Sequence, residues 1–151
     1  MGNGKMLGAM LKFMVDAHDG QFDKGGIPYC LHPLKVMHYL KTDDEELMCI
    51  ALGHDVVEDT DATYEDLRNI GMSERVIDGI RRLTKVPGQT YAEYKEQVLR
   101  SKDAMLVKQA DLRHNTDIRR LKGTTDKDKA RMSKYHDFYI EIELELWKLD
   151  E

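Results

Sequence analysis

The sequence is poor in cysteine, proline and tryptophan, with 2, 3 and 1 residues respectively among 151. So few cysteines exclude a small secreted scaffold held together by disulfides. Cys30 and Cys49 each lie between apolar residues, so we expect two reduced thiols in the hydrophobic core.

Long apolar segments are also missing. No stretch approaches the roughly 18 residues that a membrane-spanning helix needs. The first residues, MGNGKM, lack the apolar centre of a signal peptide. The sequence therefore predicts a cytoplasmic protein with no membrane partner.

Positive charge does not dominate the chain, since 23 Lys and Arg against 28 Asp and Glu give a formal net charge of -5. This balance argues against a surface devoted to generic nucleic-acid binding, so no nucleic-acid partner is predicted. Residues 108–134 are an exception, with nine basic and four acidic residues. Two explanations of this basic segment stay open. It could be a charged face that only meets solvent, or a surface that binds a phosphate-rich ligand.

The length and the 41% of hydrophobic residues fit one compact domain over residues 1–151. Apolar residues recur at steps of three and four from Met6 onward, which predicts a first helix ending near Gly20. Residues 20–33 contain three glycines and two prolines, which predicts an irregular glycine-rich loop. No alternating strand pattern is present, so the predicted fold class is all-α.

Capping signals place the later helices. Thr42 and Glu45 have the spacing of a capping box, which predicts a third helix running to about Val57 with an apolar, central middle. Further helices are predicted over residues 104–121 and 125–149, and other N-caps are expected at Thr63, Ser73 and Thr90.

Four ionisable residues interrupt the apolar third helix: His54, Asp55, Glu58 and Asp59. Burying them without partners would cost several kcal/mol each. On a continuous helix, His54 with Glu58 and Asp55 with Asp59 would form two neighbouring stripes. His54 and Asp55 could then bind a divalent metal, while Glu58 and Asp59 handle water and protons. A solvated helix end is the plainer alternative.

A second polar stripe, formed by Lys108, Asp111 and Asn115, lies on another apolar helix. His32, which precedes Pro33, could join it. A mixed nitrogen and oxygen ligand set with open positions for water and a substrate phosphate suits manganese or another first-row divalent ion. The predicted ligands are His32, His54, Asp55 and Asp111. His18 is instead expected to be a structural histidine, and His114 could touch the site.

The pattern of His32, His54-Asp55 and Asp111 resembles the HD phosphohydrolase superfamily. More narrowly, GQFDKGGIPYCLHP at residues 20–33, HDVVEDT at residues 54–60, and LVK at residues 106–108 with Asp111 and Asn115 resemble the hydrolase domain of RelA/SpoT homologues and small alarmone hydrolases. The resemblance covers nearly the whole chain.

This resemblance implies an all-α HD domain that holds Mn²⁺ through the four predicted ligands. It further implies that Glu58 and Asp59 activate or orient the attacking water. The implied reaction removes pyrophosphate from the 3′ position of (p)ppGpp, giving GDP or GTP. The partner would thus be a small phosphorylated nucleotide, and the residues implied to contact it are Lys24, Lys108, Asn115 and Tyr135.

The chain also departs from that family. Asp23 precedes Lys24 where many alarmone hydrolases have arginine, so a guanidinium that would pack on the purine is replaced by a carboxylate. Asp23 could accept a hydrogen bond from a base amino group, or it could cap its own loop. Two alternative functions therefore stay open: a phosphatase or nucleotidase acting on NADPH or a nucleoside monophosphate, and a non-catalytic nucleotide-binding module.

Overall fold

The computed structural model describes residues 2–150, and helices account for its regular structure. The only pairing resembling a strand within this range is an isolated antiparallel bridge between Phe22 and Pro28. The all-α prediction is confirmed. The helices are α1 (Lys5–Ala17), α2 (Leu31–Leu40), α3 (Glu45–Gly53), α4 (Val56–Asp59), α5 (Tyr64–Asn69), α6 (Glu74–Leu83), α7 (Tyr91–Leu99), α8 (Lys102–Asn115), a 3-10 turn (Ile118–Arg120) and α9 (Asp126–Leu149).

Helix α3 lies at the centre and packs against α1, α2, α6 and α8. Its middle is fully buried, including Ile50 and Leu52. The crossing with α6 is close: a Cβ added at Gly79 would lie 2.5 Å from Ile50 Cδ1. The central position predicted for this helix is confirmed. Helix α3 ends at Gly53, and the polar residues His54 and Asp55 follow directly.

An irregular loop connects α1 and α2, as the glycines and prolines predict. The carboxylate of Asp23 organises it by accepting hydrogen bonds from Gly25 N at 2.9 Å and Ile27 N at 3.0 Å. Gly26 adopts a φ of 83°, a conformation that favours glycine. The loop therefore has a defined shape and delivers His32 into the first turn of α2.

Helix boundaries agree with the capping signals except near α3 and α8. Thr63, Ser73 and Thr90 are N-caps, as expected, and Thr125 caps the last helix. The capping box at Thr42 is wrong, because Asp44 caps α3 by accepting from Leu47 N. Thr42 instead accepts from Asp44 N. A short polar side chain can form such a local turn two residues before a helix as readily as a cap.

The predicted third helix does not continue to Val57. It ends at Gly53, and the separate turn α4 begins at Val56. The Ala51 carbonyl would accept a hydrogen bond from Asp55 N–H in an unbroken helix. Here the imidazole Nδ1 of His54 lies 2.6 Å from that carbonyl instead. Likewise α8 ends at Asn115 rather than near residue 121, since Thr116 donates to the Leu112 carbonyl and a 3-10 turn follows.

Cys49 is buried, Cys30 is half-buried, and both are free thiols. No helix within residues 2–150 is long and apolar enough to cross a membrane. The single-domain boundary of 1–151 and the cytoplasmic location stay predictions.

Candidate functional site

His32, His54, Asp55 and Asp111 meet in one cluster. Each offers a nitrogen or carboxylate oxygen, and these atoms lie within 4.8 Å of one another. They come from the first turn of α2, the end of α3, the α3–α4 junction and the last part of α8. His32, His54 and Asp111 are no more than 4% exposed. The four predicted ligands are thus gathered in a largely buried position.

The carboxylate of Asp111 is the centre of the cluster. Its Oδ1 lies 2.8 Å from His32 Nε2 and 3.2 Å from His54 Nε2, and it accepts from Asn115 Nδ2 at 3.0 Å. Its Oδ2 accepts from Lys108 Nζ at 3.0 Å. Burial alone would raise the pKa of Asp111, but Lys108 and the imidazoles hold it well below its usual range. Asp111 is therefore ionised and able to act as a metal ligand.

The orientation of His54 fits a bound cation. The Ala51 carbonyl can only accept, so His54 Nδ1 carries the proton that points to it. His54 Nε2 then faces carboxylate oxygens of Asp55 at 3.0 Å and Asp111 at 3.2 Å. Lone pairs that face each other need a positive charge between them, supplied by a proton or a metal ion. This donor set of imidazole nitrogens and carboxylates could bind a divalent metal.

Tyr29 and His114 complete the surroundings of the ligands. Tyr29 donates its hydroxyl proton to Asp55 Oδ2, and burial followed by the charge of Asp55 raises the pKa of Tyr29. His114 Nδ1 lies 2.7 Å from His32 Nδ1, so the predicted proximity of His114 is found. Such outer hydrogen bonds fix the orientation of metal ligands.

Glu58 and Asp59 lie beside the cluster on α4. Oxygens of Asp55, Glu58 and Asp59 lie within 4.8 Å of one another. The stripe predicted to pair His54 with Glu58 does not form, because the helix is interrupted between them. Glu58 Oε1 accepts instead from Lys85 N at 2.6 Å. Desolvation, and then the charges of Asp55 and Glu58, raise the pKa of Asp59 to about 6.

A cavity of about 400 Å³ adjoins the cluster. Four of the five residues predicted to contact substrate line it: Asp23, Lys24, Asn115 and Tyr135. Tyr29 and Asn115 belong to both the cavity wall and the surroundings of the metal ligands. The cavity thus offers space for a ligand beside the candidate metal position.

Lys108 does not line that cavity. Its ammonium group is bound to Asp111, and its side chain is 17% exposed. Burial by itself would lower the pKa of Lys108, but the charge of Asp111 raises it above its usual range. Lys108 is therefore placed to hold Asp111, a candidate metal ligand, rather than to face the cavity.

Comparisons with known proteins identify relatives of the chain. No family model matches the chain. The chain is 37% identical over 129 residues to a guanosine-3′,5′-bis(diphosphate) 3′-pyrophosphohydrolase of Haemophilus influenzae, and 36% identical over 129 residues to the bifunctional (p)ppGpp synthase/hydrolase SpoT of Escherichia coli. Each alignment covers 77% of this chain and 18% of the relative, so the chain spans about a fifth of the length of these curated relatives.

A solved structure extends the similarity to the whole fold. It comes from the work titled "A metazoan ortholog of SpoT hydrolyzes ppGpp and plays a role in starvation responses", with a TM-score of 0.77 and 26% identity. The match covers 98% of this chain and 94% of that chain. This chain therefore has the HD-domain fold and is similar over most of its length to hydrolases of the RelA/SpoT family.

Two cations of the HD domain's cavity were not singled out by the sequence. Arg120 and Arg131 both line it. Their only signal is membership of the basic segment 108–134, which does not distinguish them from its exposed members such as Arg119.

Asp23 and Gln21 of the motif in the first loop, and His18 just before it, have structural roles. The carboxylate of Asp23 caps the loop and pairs with Arg120. His18 is buried, as expected, with its Nδ1 2.8 Å from Gln21 Oε1. Gln21 also donates to the Asp59 carbonyl at 2.9 Å. Gln21 thus connects the first loop with α4.

Proposed function

We propose that this HD domain is a Mn²⁺-dependent (p)ppGpp 3′-pyrophosphohydrolase. The observation that carries the proposal is the contact between a four-ligand metal cluster and a cavity with the dimensions of a small-molecule site. Both curated relatives described above are named for an activity on this class of nucleotide. The substrate would be a small phosphorylated nucleotide whose 3′ diphosphate reaches the cluster.

His32, His54, Asp55 and Asp111 would hold the metal ion. When bound, the ion would supply Lewis acidity and positive charge next to a phosphoryl group. Mn²⁺ accepts mixed imidazole and carboxylate ligands, which is the donor set present. Lys108 would keep Asp111 ionised and oriented through their hydrogen bond at 3.0 Å.

Asp59 is the residue best suited to take a proton from the attacking water. One of its carboxylate oxygens lies within 4.8 Å of oxygens of Asp55 and Glu58, beside the candidate metal position, where it can reach a water next to the ion. Before an ion binds, burial and these two charges raise the pKa of Asp59 above that of an ordinary aspartate. The water oxygen bonds to phosphorus as the bond between phosphorus and the 3′ oxygen breaks. The 3′ oxygen is the leaving group and would take up the proton that Asp59 removed from the water, while the water oxygen stays on the released pyrophosphate. Glu58, which accepts from Lys85 N, would help orient the water.

The remaining nucleotide would occupy the cavity. Lys24 is exposed at its edge and can meet phosphate oxygens, while Tyr135 offers a ring and a hydroxyl. Arg131 adds a second cation, although Asp128 partly neutralises it through a contact at 2.7 Å. The charged side chains and the cluster together favour a ligand with phosphates at more than one position.

A substrate panel with Mn²⁺ tests the proposal. The panel contains ppGpp, pppGpp, NADPH and GMP, and the products are assayed separately for pyrophosphate and orthophosphate. We expect pyrophosphate from ppGpp and pppGpp. Orthophosphate from NADPH or GMP alone would favour the phosphatase or nucleotidase alternative. Nucleotide binding without turnover of any compound would favour the non-catalytic module.

Variants connect the reaction to the site. Asp59→Asn is expected to reduce kcat by a factor of about 10²–10⁴, the usual range for removal of a general base. Asp61→Asn is the matched control, since Asp61 is an exposed aspartate two residues away. Equal activity of the two variants would remove Asp59 from the mechanism.

A further inference from the structure

A chain of hydrogen bonds joins the cavity wall to the metal cluster. Arg120 donates through one terminal nitrogen to Asn115 Oδ1 at 3.0 Å. Asn115 Nδ2 in turn donates to Asp111 Oδ1 at 3.0 Å. Arginine can only donate, so it fixes which end of the Asn115 amide faces Asp111. The orientation of a candidate metal ligand thus depends on a side chain two contacts away.

The other terminal nitrogen of Arg120 faces the first loop. It donates to Asp23 Oδ2 at 3.3 Å, and Asp23 Oδ1 accepts from the loop amides of Gly25 and Ile27. The loop also lies directly against the backbone of Arg120: a Cβ added at Gly25 would be 2.6 Å from the Arg120 carbonyl oxygen. One guanidinium therefore contacts both the loop that carries Lys24 and the amide that orients Asp111.

The environment makes these contacts more than a surface ion pair. The side chains of Arg120 and Asp23 are 21% and 16% exposed, and both line the cavity. Arg120 also donates to the His114 carbonyl at 3.1 Å, so three of its five N–H groups are used by protein acceptors. Its guanidinium plane is consequently fixed at the cavity wall.

We propose that Arg120 is a positioning residue that couples the nucleotide cavity to the metal cluster. On one side it holds the loop through Asp23, and on the other it orients Asp111 through Asn115. The role of the cavity as a nucleotide site rests on the proposed function, but the effect on the metal cluster does not. Binding of metal and binding of nucleotide should then depend on the same side chain.

Lysine cannot replace Arg120 in this role. Its ammonium is a compact point charge on a flexible stem, whereas the planar guanidinium reaches acceptors in several fixed directions. Because many alarmone hydrolases have arginine at the position of Asp23, an arginine there could be expected to improve nucleotide binding. The contacts of Asp23 indicate the opposite. An Asp23→Arg substitution would remove the loop acceptor and place two guanidinium groups together, so it should weaken nucleotide binding rather than restore it.

The test uses Mn²⁺ alone and GDP as separate probes of the whole chain. Loss of an outer hydrogen bond to a metal ligand weakens metal affinity by about 10- to 100-fold. Replacing Arg120 leaves the bond from Asn115 to Asp111 but no longer fixes the orientation of the Asn115 amide, so the lower end of that range applies. We expect Arg120→Ala and Arg120→Lys to weaken Mn²⁺ binding by about 10-fold and to weaken GDP binding as well. Arg119→Ala is the matched control, because Arg119 is 85% exposed and bonded to Asp117. It should bind both probes as the unaltered chain does.

Circular dichroism and thermal unfolding establish whether each variant is folded. If Arg120→Ala does not fold, the test is made with Arg120→Lys. Folded Arg120 variants with unaltered Mn²⁺ affinity would overturn the inference, as would an unaltered chain that binds no Mn²⁺. Weakened Mn²⁺ binding by the Arg120 variants, together with no ppGpp hydrolysis by the unaltered chain, would support the coupling to the cluster while refuting the proposed function. Normal ppGpp hydrolysis by Arg120 variants with unaltered Mn²⁺ and GDP affinity would refute the inference alone.

Discussion

Lys108 offers a direct comparison between two roles, because the sequence assigns it to the nucleotide and the structure places it on Asp111. The Lys108→Met variant keeps a long unbranched stem but removes the ammonium group that lies 3.0 Å from Asp111 Oδ2. If Lys108 holds Asp111, removing the ammonium group should lower the free energy of unfolding even when no nucleotide is present.

The size of the loss follows from burial. The two side chains are 17% and 5% exposed, and removing one partner of a buried ion pair costs about 3–5 kcal/mol. Asp111 keeps three other hydrogen-bond partners, His32, His54 and Asn115, so the lower end of that range applies. A loss of about 3 kcal/mol corresponds to a fall in Tm of about 6–12 °C for a domain of this size.

Urea unfolding in the presence of a chelator measures this effect, since the chelator removes stabilisation by bound metal. Lys148→Met is the matched control: Lys148 also pairs with a carboxylate three residues away at 3.0 Å, but those side chains are 68% and 40% exposed. It should lose less than about 1 kcal/mol. Equal unfolding free energies for the two variants, with a raised KM only for Lys108→Met, would refute the reasoning and make Lys108 a nucleotide contact.

Three further outcomes follow from the structure. In the protein without bound metal, Asp59 has a pKa of about 6 when folded against about 3.9 when unfolded, so its ionisation destabilises the fold as pH rises from 4 to 6. With a chelator present, Asp59→Asn should therefore unfold at higher urea than the unaltered chain at pH 7.5 and at the same urea below pH 4. Equal midpoints at pH 7.5 would contradict this. Burial raises the pKa of Cys49 to about 12, so a thiol reagent at pH 8 should modify only Cys30 in the folded protein and both cysteines in urea. Rapid modification of two thiols per chain without urea would contradict this. Gly25→Ala should weaken GDP binding, because the added Cβ would meet the Arg120 carbonyl oxygen. Gly123→Ala is the control and should not weaken it, since no atom lies within 4 Å of a Cβ added at Gly123. Equal GDP affinities of the two variants would show that the loop adapts.

Local sequence determined the helical fold and the identity of the candidate metal ligands. Periodicity and capping depend on residues within a few positions of one another, so caps such as Thr63 and Thr90 could be recognised without tertiary contacts. Ionisable groups on apolar segments, such as His54 and Asp111, also stand out locally, because burial without partners is unfavourable. The chemistry of the cluster was therefore readable before its geometry.

Tertiary structure alone decided how the polar side chains are paired. Asp23 and Arg120 are 97 residues apart, and His32 and Asp111 are 79 apart, so no local pattern specifies their contacts. Lys108 illustrates the consequence, since the burial that makes an ion pair with Asp111 strong arises only when α8 packs into the fold. The sequence by itself determined which groups could act, whereas packing decided which group each of them meets.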